Sequence, residues 1–365
     1  MIGWLRQRID TFIGAGEAAL TIPVMDGALK PNRVLDDAQG YPIARPDCLA
    51  ADGDRIFCSS GNEVFAVHST CGAVQTLSAL RFGDPVTAIC AVPGGGLAVA
   101  LESGELHIAG GARDGLILRD SAALPLRCVT ALTFAAADIL IICIGSSTNL
   151  ARDWRKDLLE GNASGSVWRI DLSERSQTRL ADSLAFPQGI MGEANGRTIV
   201  VSESWRHRLV RLDAERPSKP EIVLDDLPGY PSRLCSDGSS GAWAAIFAPR
   251  NQLVEFVIRE REYREEMMST IAPDYWIAPA LRSRDSFLEP LQGGGVRQMG
   301  MLKPWAPTRS YGLVVRLGAD LQPVLSLHSR ADGHRHGTTS CLVAGGRLFV
   351  ACKGGDEILV HPVAP

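Results

Sequence analysis

Apolar positions along this chain come in short runs rather than in long helical stripes. An apolar run, a Gly- or Asp-bearing turn, a second apolar run and another turn recur, as in CLAADGDRIFCSSGNEVFAVH, ICAVPGGGLAVALESGELHIAGG and TIVVSESWRHRLVRLDA. Runs of this length bounded by D-G, G-N and G-G turns mark antiparallel strands joined by hairpins. Their return at a period of about 40 residues marks a β-propeller. Six units can be placed, with innermost strands beginning near Asp47, Thr87, Thr130, Gln188, Ser232 and Thr339. The pattern therefore predicts an all-β, six-bladed β-propeller over residues 41–365. Two units are interrupted, at about 146–165 (SSTNLARDWRKDLLEGNASG) and about 259–307 (including PDYWIAPALRSRDSFLEP and MLKPWAPTRSYG). Excursions of that length are usually functional loops on one face. Ahead of the propeller, residues 1–40 read as a short helix, with Trp4, Leu5, Ile9 and Phe12 near helical spacing, and a possible ring-closing strand, AALTIPV.

Composition narrows the function. A hydrophobic content of 45% supports a packed core, and a net charge of −4 with pI near 6.0 argues against nucleic acid or an anionic membrane as partner. Arg6, Arg8 and Asp10 break any secretory apolar segment and no later run is long enough to span a bilayer, so the cytoplasm is the expected compartment. Of nine cysteines, Cys90, Cys143 and Cys352 sit inside apolar runs, as buried thiols do. Cys58 and Cys71 are the pair close enough for a local bridge across a hairpin, in a chain with no other sign of an oxidising compartment.

The stretch LAFPQGIMGEANGRTIVVSESWRHRLVRLD, followed by LDDLPGYPSRLCSDGSSGAWAAI, resembles the strictosidine synthase and gluconolactonase-like six-bladed propellers. Phe186, Pro187 and Gly189 keep the family's FPNG motif, Glu203 stands at its acidic strand position, and Leu227 to Pro231 keep LPG-aromatic-P. RPDCLAADGDRIFCSS resembles the opening of the first blade, and SLHSRADGHRHGTTSCLVAGGRLFVACKGG the last blade. The resemblance, over about 42–360, implies an active site in the mouth of the central channel. Related lactonases hold calcium there with Glu, Asn and Asp side chains. At the matching positions this chain has Asp47, Thr130, Gln188 and Ser232–Arg233, one anion and one cation, so calcium is not expected. Strictosidine synthases lack the metal and use a glutamate in the last blade; the alignment puts Thr339 there.

Other chemistry must then be sought. The densest polar cluster is His328, Ser329, Arg330, Asp332, His334, Arg335 and His336, just before the last inner strand. Three of the chain's seven histidines lie in it. His334 and His336 share one side of an extended segment. They suit a general base, or transition-metal ligands completed by Asp47; otherwise they belong to a solvated loop. Arg233, facing the channel, either pairs with Asp47 or clamps a substrate carboxylate. Glu203, inside an apolar strand, needs a donor such as His207 or Arg208. Trp154, Tyr275, Trp276 and Trp305 either wall a pocket or form the insertions' own core. There is no phosphate-binding glycine loop, no H-E-x-x-H, no nucleophile elbow and no paired C-x-x-C.

The leading expectation is a lactonase- or esterase-type hydrolase of a small cyclic or carbonyl substrate, without a cofactor. His336 or His334 would be the base, Arg233 the oxyanion stabiliser and Asp47 its partner, with Thr130, Gln188, Ser232, Thr339 and Trp305 contacting substrate. A non-catalytic propeller binding a small anion or a protein is the rival. Condensation or lyase chemistry nearer to strictosidine synthase is a third reading.

Overall fold

The computed structural model describes residues 22–70, 73–283, 285–286, 288–290, 297–298, 301–302 and 308–363. Six four-stranded antiparallel sheets make six propeller blades, and the innermost strands are Leu49–Asp52, Val86–Ala91, Val129–Ala136, Pro187–Gly192, Gly229–Ser236 and Thr338–Ala344. Each begins within three residues of the position read from the sequence. The apolar runs are explained by burial on both faces. In Ile139–Ile144, Leu140, Ile142 and Ile144 pack towards blade 2, while Ile141 and Cys143 pack into a cluster shared with blade 4. Period-two alternation is thus hidden, because both sides of a central strand are core. Burying each such aliphatic side chain contributes about 1.5–3 kcal/mol.

The ring is closed by the N-terminal part of the chain. Gln39–Pro42 forms the outermost strand of blade 6 and pairs antiparallel with Glu357–Pro362. The expected closing strand was AALTIPV; its residues 22–24 are irregular, and residues 18–21, like the expected helix around Trp4, lie outside the described residues. Cys58 is a buried free thiol, and Cys71 lies outside the described residues. No helix among the described residues is long and apolar enough to cross a membrane.

Both insertions join the second and third strands of a blade, so both return to the face on which the inner strands begin. The first carries the helix Trp154–Glu160. The second starts at Arg250, earlier than expected, because Asn251 caps the helix Gln252–Arg259 by accepting from the Leu253 amide at 2.9 Å. The helix Arg261–Thr270 follows, and Leu159, Val257, Met267, Trp276 and Ala278 form a small core tying the two insertions together.

Candidate functional site

The starts of the inner strands surround a cavity of about 530 Å³ at the mouth of the channel. Its floor is Arg233, which also borders a lower cavity of about 230 Å³ lined by Cys48, Cys90, Cys235 and Cys341, so its side chain partitions the channel. The guanidinium is 7% exposed and held from three blades. Nη1 donates to the Asp47 carboxylate at 2.8 Å and lies 3.4 Å from the Asp47 and Thr339 carbonyls; Nη2 donates to the Thr87 carbonyl at 2.7 Å. Its Nε–H is buried without a hydrogen-bond partner among the described residues. Lys353 Nζ reaches the other Asp47 oxygen at 2.6 Å. Burial would raise the Asp47 pKa, but the charges of Lys353 and Arg233 more than offset it and hold the carboxyl well below the usual range. Of the two roles left open for Arg233, the ion pair with Asp47 is therefore the one the geometry contains.

The same arrangement tests whether a divalent cation fits. Three carbonyls and a carboxylate converge as oxygen ligands would, but a guanidinium stands among them, and the single carboxylate already faces two cations. Calcium needs six or more oxygens with uncompensated negative charge, and this donor set does not fit it. Among the described residues, no group of three His, Cys, Asp or Glu side chains is placed to hold any metal.

The histidine cluster, expected to supply the catalytic base, does not line this cavity. His336 is buried, with Nδ1 2.8 Å from Ser310 Oγ and Nε2 2.8 Å from the Arg330 carbonyl. It borders a separate cavity of about 310 Å³ together with His334, which is exposed. His328 is fully buried between Tyr311 and Ser326, and burial, reinforced by the charge of Arg330, lowers its pKa to about 4. The cluster instead clasps the N-terminal segment. Arg335 Nη1 donates to the carbonyls of Leu35, Asp36 and Ala38, Ser329 Oγ to Asp36 at 2.6 Å, and Asp332 pairs with Arg33. The single-turn helix Val34–Asp37 leaves its last carbonyls without intrahelical donors, and the polar density follows from that need.

Thr130, Gln188 and Thr339 do line the mouth. Two of them are spent on structure: Thr130 Oγ1 donates to the Pro187 carbonyl and Thr339 Oγ1 to that of Asp47, each tying adjacent blades. Ser232, expected to contact substrate, is buried outside the lining of this cavity and bonded to the Thr339 carbonyl at 2.8 Å. Trp305 lies outside the described residues. Glu203 is fully buried and paired with Arg208 as expected, and with Arg206, while His207 turns to Glu255. Trp154 walls the mouth with Phe247, their ring centroids 5.2 Å apart, whereas Trp276 belongs to the insertions' core.

Lys353 and Glu102 were missed by the sequence reading. Each directly follows a second strand, Arg347–Cys352 and Leu97–Leu101, where that strand returns to the mouth. The signal was available: LAVALE and LFVACK each end an apolar run on a charge. Glu102 is 7% exposed; Oε2 accepts from Arg152 of the first insertion, and Oε1 has no partner among the described residues.

Residues 130–215 match the family model described as strictosidine synthase. Curated relatives include an adipocyte plasma membrane-associated protein of Salmo salar, 29% identical over 27% of this chain and 24% of its own length. Another is the strictosidine synthase-like protein 13 of Arabidopsis thaliana, 32% identical over 24% of this chain and 22% of its own length. The matched stretch thus spans about a quarter of these relatives. Among solved structures, a gluconolactonase of Xanthomonas campestris superposes with a TM-score of 0.55 at 14% identity, covering 94% of this chain and 95% of that one. A calcium-binding regucalcin of Agrobacterium tumefaciens superposes at 0.54 and 14%, covering 91% and 94%. At such identities these two likenesses establish the fold.

Proposed function

We propose that this six-bladed propeller, whose residues 130–215 match the strictosidine synthase family model and whose fold is gluconolactonase-like, is a hydrolase of small lactones or esters working in the channel mouth. The observation that carries this reading is the convergence, in one partly enclosed cavity floored by Arg233, of a buried carboxylate with one oxygen unpaired among the described residues and an ammonium with spare donors. Glu102 Oε1 takes a proton from a water as the water oxygen bonds to the substrate carbonyl carbon. Lys353 donates to the oxyanion that forms. The tetrahedral intermediate collapses with cleavage of the carbon–oxygen bond, and the leaving alkoxide recovers the proton from Glu102. Arg152 positions the carboxylate, and Trp154 and Phe247 exclude water from one side. Asp47, pinned between two cations, is too weak a base for this work and serves to hold Lys353 and Arg233.

A panel of γ- and δ-lactones and aryl esters tests the proposal. Turnover is expected to fall at least a hundredfold in Glu102→Gln with an unchanged melting temperature, since a general base contributes roughly 10²–10⁴-fold. Equal turnover by wild type and Glu102→Gln removes Glu102 from the mechanism. Binding without turnover across the panel returns the protein to the non-catalytic reading. Condensation chemistry of the strictosidine synthase kind lacks an acid at Thr339, whose hydroxyl is already committed to the Asp47 carbonyl.

A further inference from the structure

The cavity's charge is opposite to that of the molecule. The whole chain carries −4, yet the ionisable lining is Arg45, Asp47, Glu102, Arg152, Arg233 and Lys353, four cations against two anions. The pairing shows which charges are left over. Glu102 is neutralised by Arg152, and Asp47 by Arg233, whose two terminal nitrogens are also engaged by backbone carbonyls. Lys353 spends one of its three N–H donors on an oxygen of that same Asp47, so its charge is not separately compensated. The Arg45 side chain, at the rim, makes no ion pair or hydrogen bond among the described residues. A cleft lined by excess charge of one sign between low-dielectric walls concentrates counter-ions of the other sign. Part of the remaining wall is apolar, from Trp154, Phe186, Phe247 and Leu281.

We propose that this site selects small organic carboxylates: an anionic head held by one of the two spare Lys353 donors with Arg45 at the rim, the other donor being left for the oxyanion, and a compact apolar or aromatic body against Trp154 and Phe247. This names the substrate class of the site described above and rests on that reading, so that the preferred substrates are lactones or esters bearing a carboxylate. Ammonium–carboxylate hydrogen bonds are charge-assisted and short, and a neutral isostere of the ligand cannot reproduce them.

Binding is measured by calorimetry, without turnover, for acetate, hexanoate and phenylacetate, each against its primary amide, at low and at moderate salt. At least one acid is expected to bind tenfold or more tightly than its amide, with the gap narrowing as salt rises. Lys353→Met is expected to bring that acid to the affinity of its amide. Arg45→Gln, a surface change that leaves the Asp47 cluster intact, is expected to reduce the preference several-fold, and it keeps the test decisive should Lys353→Met fold poorly. Equal affinity for acid and amide, no binding by any acid, or an undiminished preference in both variants overturns the inference. Tight carboxylate binding without hydrolysis of any carboxylate-bearing lactone would remove the hydrolase reading and leave the anion site standing. Hydrolysis of neutral lactones with no charge preference would do the reverse.

Discussion

Arg233 binds one carboxylate and carbonyls from three blades, and at 7% exposure none of these partners can turn to water without opening the channel. Removing one partner of a buried pair strands the other's charge, which costs about 3–5 kcal/mol. Arg233→Met is therefore expected to lower the unfolding free energy measured in urea, by less than that range because Lys353 still faces Asp47, although methionine fills similar space. Because the cation at the centre of the channel belongs to the chain itself, chelation of the wild-type protein is expected to leave its melting temperature unchanged; a fall on chelation would overturn the account of the donor set. His328 gives a pH signature of its own. Its folded pKa of about 4 lies below the unfolded value near 6.5, so between these values the unfolded chain binds the extra proton. This contribution to stability is whole above pH 6.5 and is lost as pH falls towards 4, at up to about 1.4 kcal/mol per pH unit. Denaturation midpoints at pH 7 and pH 5 should differ accordingly, and the difference should shrink in His328→Gln.

At the scale of elements, the site is made where second strands return to the mouth and where the insertions settle on it. The second insertion comes back across the last blade at Leu281, whose carbonyl lies against two glycines. A Cβ on Gly354 would stand 1.9 Å from that oxygen, and one on Gly337 would stand 2.7 Å from it. Backbone cannot yield as a side-chain tip would, so Gly354→Ala should displace Leu281, which walls the cavity. The expected outcome is a several-fold rise in KM with a small loss of stability, read from steady-state kinetics alongside thermal melts. Unchanged kinetics would mean that the insertion does not shape the site. The first insertion has a matching role, since Trp154 meets Phe247 and Arg152 holds Glu102.

For the whole molecule, closure of the ring is the long-range event that everything else depends on. The outermost strand of blade 6, Gln39–Pro42, comes from the far end of the chain, and the clasp around residues 326–336 holds the segment leading into it. Arg335 is its centre, with three backbone carbonyls and an ion pair to Glu357. Arg335→Met leaves those acceptors short of a donor, at about 1–3 kcal/mol for each group that water cannot reach. A clear drop in melting temperature with little change in kcat is expected; lost turnover in a variant of undiminished stability would return the cluster to the active site.

The sequence alone determined the class of the fold and the six inner strands, because hairpin turns and strand-length apolar runs are local signals that survive without their neighbours. Phe186, Pro187 and the LPGYP block pointed to the propeller type for the same reason. Asp47, Arg233, Thr130, Gln188 and Thr339 were also legible at the mouth, since a strand's first residues must lie where the strand begins. The tertiary structure decided what each polar group does. His334, His336 and Arg335 looked like one centre because histidine and arginine were dense there, but Arg335 serves a segment some 300 residues away and His336 bonds to Ser310 and the Arg330 carbonyl. Glu102 and Lys353 looked like ordinary strand ends, and acquired a joint role only when the blades closed into a ring and brought both to one cavity. Charge in a sequence is a property of residues; whether it is spent on backbone, paired or left over depends on which distant groups the fold brings within hydrogen-bond reach.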